Sequence, residues 1–201
     1  MAHESGHAEV LRYLTERSPD SLEFSLALEL GDHALFDRLA AAAPDLPKSL
    51  APAERRRLPD AAQNRNLETV RRMLAAGWPV DARGQHGGTA LHWAAFHGQA
   101  EMTRLILGFD PPLEVVDFDF GGEPLGWAIH GSQGDGLADS SDFRGTVAAL
   151  LQAGAQPPAT IFGSPEVQAV LREIVTARSR KDLAIDTNRK SVSRVRSDPC
   201  P

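Results

Sequence analysis

GGTALHWAA at residues 87–95 and GGEPLGWAI at residues 121–129 are near copies of one another at an offset of 34 residues. A period of 33 to 34 residues is that of stacked helical-hairpin repeats, so the first question is how far it runs. Small residues recur in one column as Ala2, Ala27, Ala61, Ala94 and Ala128, and only the first interval, 25 residues, departs from 33 or 34. Twelve residues beyond the first four stand Leu14, Leu39, Met73 and Ile106, and the fifth copy reaches Leu150 after an insertion. Three residues before the last four alanines stand Phe24, Leu58, Leu91 and Leu125. Each unit thus carries two short helices with small and apolar faces turned to the next unit, an all-α solenoid of about four to five helical hairpins with projecting turns.

Thr89 stands where a hydroxyl caps the first helix of the best copy, and Gly98 stands where a left-handed residue turns the chain into the second. Residues 81–107, DARGQHGGTALHWAAFHGQAEMTRLIL, carry a turn, a T-x-L-H helix start with Ala90 in place of Pro, an A-A pair and Gly98 between helices. At these residues the chain resembles the ankyrin repeat family. The likeness extends over Ala61 to Gly77 and over 121–129, where Glu123 and Gly126 replace the family's Thr and His, and weakens toward both ends of residues 1–157. The resemblance implies that His92 bridges backbone groups of its own turn, that the chain is a noncatalytic protein-protein interaction module, and that a partner meets the projecting turns and the concave side of the first helices.

Four segments break the period. Met1 falls in mid-unit, which leaves open a purely structural role as the C-terminal cap of a longer array. Pro44, Pro47 and Pro52 turn 43–57 into a longer connection with a helical turn. Residues 132–144, rich in Gly, Asp and Ser, read as a loop inserted into the fifth unit. Residues 158–177 hold a capping helix, with Ser164 as cap and Pro165 at its first position, and 178–201 read as a disordered basic tail.

The 201 residues are 42% apolar with a formal charge of -6. The tail carries seven basic and three acidic residues, net +4, which leaves -10 on residues 1–177. An acidic body disfavours nucleic acid as a ligand, because phosphate binding needs concentrated Lys and Arg, and suits a partner with a basic surface. No apolar run is long enough to cross a membrane, and no signal-peptide layout is present. Cys200 is the lone cysteine, so a reducing, cytoplasmic setting is expected; a monomer without cofactors is expected as well. Arg outnumbers Lys 18 to 3, a bias associated with GC-rich bacterial genomes.

Chemistry-bearing patterns are few. His3, Glu4 and His7 spell H-E-x-x-H, the zinc-hydrolase pattern, but they also fit the repeat, where Gly6 ends one helix before His7 starts the next. A metal-dependent hydrolase is therefore the alternative reading. His92 and His97 are five apart, about 140° around a helix, and cannot share a metal on one face. Asp135, Asp139 and Asp142 lack the alternating ligands and closing Glu of a calcium loop.

The turns of the two best units hold what remains. Asp117, Phe118, Asp119 and Phe120 place two aromatics among carboxylates on an outward turn, and Arg83, Gln85 and His86 form the polar side of the adjacent one. One ring, Phe120 rather than Phe118, is expected to pack back on its neighbour. Trp93 and Trp127, one period apart, are expected to stack along the array, closing its core rather than lining its groove. These nine residues are the candidate partner-binding set.

Overall fold

The structure, a computed structural model, describes Phe24, Ala27, Leu28 and residues 31–134 and 140–178. The helices are α1 (His33–Ala42), α2 (Leu46–Ser49), α3 (Pro52–Arg55), α4 (Arg57–Gln63), α5 (Leu67–Ala75), α6 (Ala90–Phe96), α7 (Ala100–Leu107), α8 (Pro124–Gly131) and α9 (Phe143–Ala153). A tenth, α10, covers 165–178. No strand is formed among the described residues; an isolated antiparallel bridge, Arg83 to Thr89, closes the base of one turn.

Helices of seven to eleven residues are too short to persist alone, so packing must hold them. The repeated columns supply it. Leu58, Leu91 and Leu125, Ala61, Ala94 and Ala128, and Met73, Ile106 and Leu150 are all buried, with Leu39 partly so. First helices stack as α4 on α6 on α8, and second helices as α5 on α7 on α9. This is a helical-hairpin solenoid in which each unit rests on its neighbours and stability is a sum of unit and interface terms.

Local chemistry fixes each hairpin. Asp32, Asn66 and Asp142 cap α1, α5 and α9, their side chains accepting from Leu35, Thr69 and Gly145 N–H groups. Gly31 and Gly98 make the left-handed turn between helices, with φ of +69° and +63°; in the intervening unit Arg65 does so at +58°. Gly98 is doubly required, since a Cβ there would lie 2.9 Å from the Phe143 ring.

The irregular segments differ in detail from the expectation. Residues 43–57 form two helical turns, α2 and α3, with prolines in the first turn of each. The second helix of the last hairpin starts at Phe143, inside the stretch 132–144, because Asp142 caps it and donates its own N–H to Gly98 O at 2.7 Å. Ser164 precedes α10, whose Val167, Val170 and Leu171 are buried. Arg178 belongs to this helix, its guanidinium donating to Leu151 O in the last turn of α9 at 2.7 Å.

Candidate functional site

Two turns, the fingers, precede α6 and α8. The first, Arg83 to Gly88, is tied by Gly84 N–H to Gly88 O (2.8 Å) and turned by left-handed His86 and Gly87. The second, Asp117 to Gly122, is closed by Asp117 N–H to Gly122 O (3.0 Å) and turned by left-handed Gly121. Phe118 N–H joins them by donating to His86 O at 2.8 Å, and Arg83 adds a clasp by donating to both Gly87 O and Val116 O.

Asp117 is buried rather than presented to solvent. Its Oδ1 accepts from the N–H groups of Asp119 and Phe120, and its Oδ2 from Gly122 N–H and the Trp127 indole, at 2.6 to 2.9 Å. Burial alone would raise this carboxyl pKa; the N–H donors of Phe120, Trp127, Gly122 and Asp119 outweigh it and hold it at about 2. The residue shapes the finger and fastens it to α8 instead of meeting a partner directly.

His92 is fully buried and does more than serve its own turn. Nδ1 accepts from Thr89 N–H at 3.1 Å and lies 2.9 Å from Thr89 Oγ1, which leaves Nε2–H to donate to Gly122 O at 3.2 Å. The imidazole is thus a neutral bridge from one unit to the finger of the next, and burial pushes its pKa down. Burial, and then the Arg65 charge, lower that of His97 as well.

Both finger phenylalanines are exposed, Phe118 by 73% and Phe120 by 72%. Both rings lean on the neighbouring turn, Phe118 over Gly87 and Phe120, the one expected there, toward His86. Gly87 has no side chain in the way, and a Cβ there would come within 2.4 Å of the Phe118 ring, while the Arg83 guanidinium sits 4.7 Å from that ring's centre. Phe120 also approaches Trp127, its ring centre 5.5 Å from that of His86 and 6.3 Å from that of Trp127. His86 Nδ1 meets Asp119 Oδ2 at 2.6 Å, and Gln85 accepts from Gln63 at 3.0 Å.

Trp93 and Trp127 are 6% and 7% exposed, and they do both things the sequence left as alternatives. They meet edge to face, 5.1 Å apart at 86°, closing the space between α6 and α8. They also floor a hollow of about 550 Å³ on the finger side, walled by Phe96 and Phe120 with His86 and His130 at its rim. Phe162, from the segment before α10, completes it. Phe96, His130 and Phe162 were not singled out from sequence. Phe96 and His130 are themselves one period apart, each three residues after a tryptophan, so W-x-x-F and W-x-x-H mark one aromatic helix face.

Among the described residues no group of three His, Cys, Asp or Glu side chains is placed to hold a metal ion, and no helix is long and apolar enough to cross a membrane. His3, Glu4 and His7, Asp135 and Asp139, and the stretch 179–201 lie outside the described residues.

The lowered histidine pKa values set a pH response. Unfolded histidines take up protons below about 6.5, while the folded state resists, so the stability they contribute is present above 6.5 and lost as pH falls. Asp117 works in a lower window: its contribution is complete above 3.8 and lost as pH falls toward 2. Melting temperature is therefore expected to decline in two steps on acidification, and a His92→Gln, His97→Gln double variant should lose the first step only, as thermal melts at pH 7.5, 5.5 and 3 would register.

Residues 58–107 match the family model described as ankyrin repeats (many copies). Over 97 residues the chain is 30% identical to the palmitoyltransferase Hip14 of Drosophila melanogaster, covering 48% of this chain and 14% of that protein. The matched stretch is therefore a small part of that relative's length. The crystal structure of the human ASB11 ankyrin repeat domain is similar at 23% identity and a TM-score of 0.45, over 60% of this chain and 53% of that one.

Proposed function

We propose that this chain, whose residues 58–107 match the ankyrin repeat family model, works as a noncatalytic interaction module gripping a protein partner with its two central fingers and the hollow beside them. Ankyrin repeats are protein-protein interaction modules. The observation that carries the reading is the pair of finger phenylalanines, each nearly three-quarters exposed, beside an aromatic hollow of about 550 Å³. An exposed aromatic pair on rigid turns supplies contact area at little ordering cost, and each ring contributes about 1.5 to 3 kcal/mol if a partner buries it fully.

Rigidity comes from the Asp117 carboxylate, the His92 bridge and the Arg83 clasp, which hold the fingers in place before any partner arrives. The net charge of -10 on residues 1–177 favours a partner with a basic surface. In this reading the protein is a cytoplasmic monomer, the fingers 83–88 and 117–122 with Trp93 and Trp127 form the contact surface, and 158–177 cap the array. Association rates of a captured partner should fall steeply with added salt while dissociation rates change little, as stopped-flow or surface-based kinetics would record; rates indifferent to salt would remove the electrostatic part of the reading.

A further inference from the structure

The hollow on the finger side is built as a box. Trp93 and Trp127 stand perpendicular to one another, Phe96 meets both edge to face at 85° and 74°, and Phe120 closes the outer side at 68° to Trp127. Rings set at right angles present faces and edges to a common space, and ring faces attract positive charge through their quadrupoles. The charges nearby point the same way. The indole N–H of Trp127 donates to the buried Asp117 carboxylate, which pushes electron density into that ring and places a fixed negative charge behind it. Asp119 adds a second carboxylate beside the rim imidazole of His86.

Resting on the protein-binding reading above, we infer that this box receives a methylated lysine side chain of the partner. The reason for methylation is hydrogen-bond arithmetic. A plain ammonium brings three N–H donors that must be satisfied, and the box offers them chiefly aromatic carbon. The backbone oxygen of Gly122, at its edge, already accepts from His92 and from Asp117 N–H. A trimethylammonium keeps the charge, is more weakly hydrated and carries no N–H to leave unpaired, so it gains the attraction of the rings at a smaller burial penalty than an ammonium.

The test is a titration of the full chain, followed by tryptophan fluorescence and calorimetry, with short peptides of Gly and Ala that differ at one position. One carries trimethyllysine, one lysine, and one the neutral isostere with carbon in place of the charged nitrogen. The trimethyllysine peptide is expected to bind about tenfold more tightly than either of the others. Phe120→Ala, whose exposed ring makes it a tolerable change, should remove most of that preference while the melting temperature holds. Equal binding of the neutral isostere would show simple apolar filling, tighter binding of lysine would show a surface ion pair, and free choline binding as well as the peptide would assign the box to a small molecule or lipid headgroup. Each of these, or no binding, overturns the inference. A partner that still requires Phe118 and Phe120 in the face of such a result would leave the protein-binding reading standing.

Discussion

Gly131→Ala is expected to cost about 3 to 5 kcal/mol, near the upper end for one methyl group. Gly131 is the last residue of α8, where that helix meets the end of α6, and a Cβ built there would fall 2.1 Å from Phe96 O and 3.1 Å from the Phe143 ring. Neither neighbour can yield cheaply. The first is backbone within the stack, and the second is a buried ring that also lies against Gly98. Relieving the clash means prying the last hairpin from the one before it, and in a nearest-neighbour array that lowers the stability of everything beyond the broken interface. Denaturant unfolding should show a lower midpoint and, if the array splits, a second transition; a variant within about 1 kcal/mol of the parent would show that the contact between α6 and α8 is looser than described.

The second large effect is expected at Asp117. Asp117→Asn removes the charge that four N–H groups converge on and turns an amide donor toward some of them, a loss of about 2 to 4 kcal/mol. Geometry should change as well as stability. The Asp119, Phe120 and Gly122 amides depend on this one carboxylate for their bonds, so hydrogen exchange at those positions should speed up well beyond exchange in α6. Unchanged protection there would mean that the finger is held by its other ties, the Phe118 to His86 bond and the Arg83 clasp.

The solenoid was legible because stacking repeats one demand every 33 or 34 residues. The columns of Leu58, Leu91 and Leu125 and of Ala61, Ala94 and Ala128 face neighbours of the same kind, so the spacing reports the packing directly. The glycine between helices was readable at Gly98 for the same reason, but not at Gly131, which is equivalent to His97 one unit earlier; its need for a bare backbone comes from one close approach, not from the repeat. Arg65 shows the converse, a left-handed turn at a residue whose type does not announce it.

The site was legible in part. Asp117, Phe118, Asp119 and Phe120 declared themselves as an outward turn, yet the inward role of Asp117 depends on Trp127 ten residues on and no local pattern contains that bond. That Phe118 lies on the neighbouring turn as well as Phe120 was decided by the bare surface of Gly87, a feature of the other finger. The aromatic face was available at a spacing of three, as Trp93 with Phe96 and Trp127 with His130. Phe162 was not, since it reaches the hollow from outside the period.

Phe118 and Phe120 test the fingers and their hollow as a protein-binding surface with least disturbance, because their rings bury little within the chain itself. The decisive measurement is the affinity of a partner captured by the full chain for the Phe118→Ala, Phe120→Ala double variant, with melting temperatures taken alongside. Affinity is expected to fall at least about a hundredfold while the melting temperature stays within a few degrees, since two aromatic contacts worth about 1.4 kcal/mol each multiply to that factor. Undiminished affinity in a folded variant would contradict it and place the partner on another face of the solenoid.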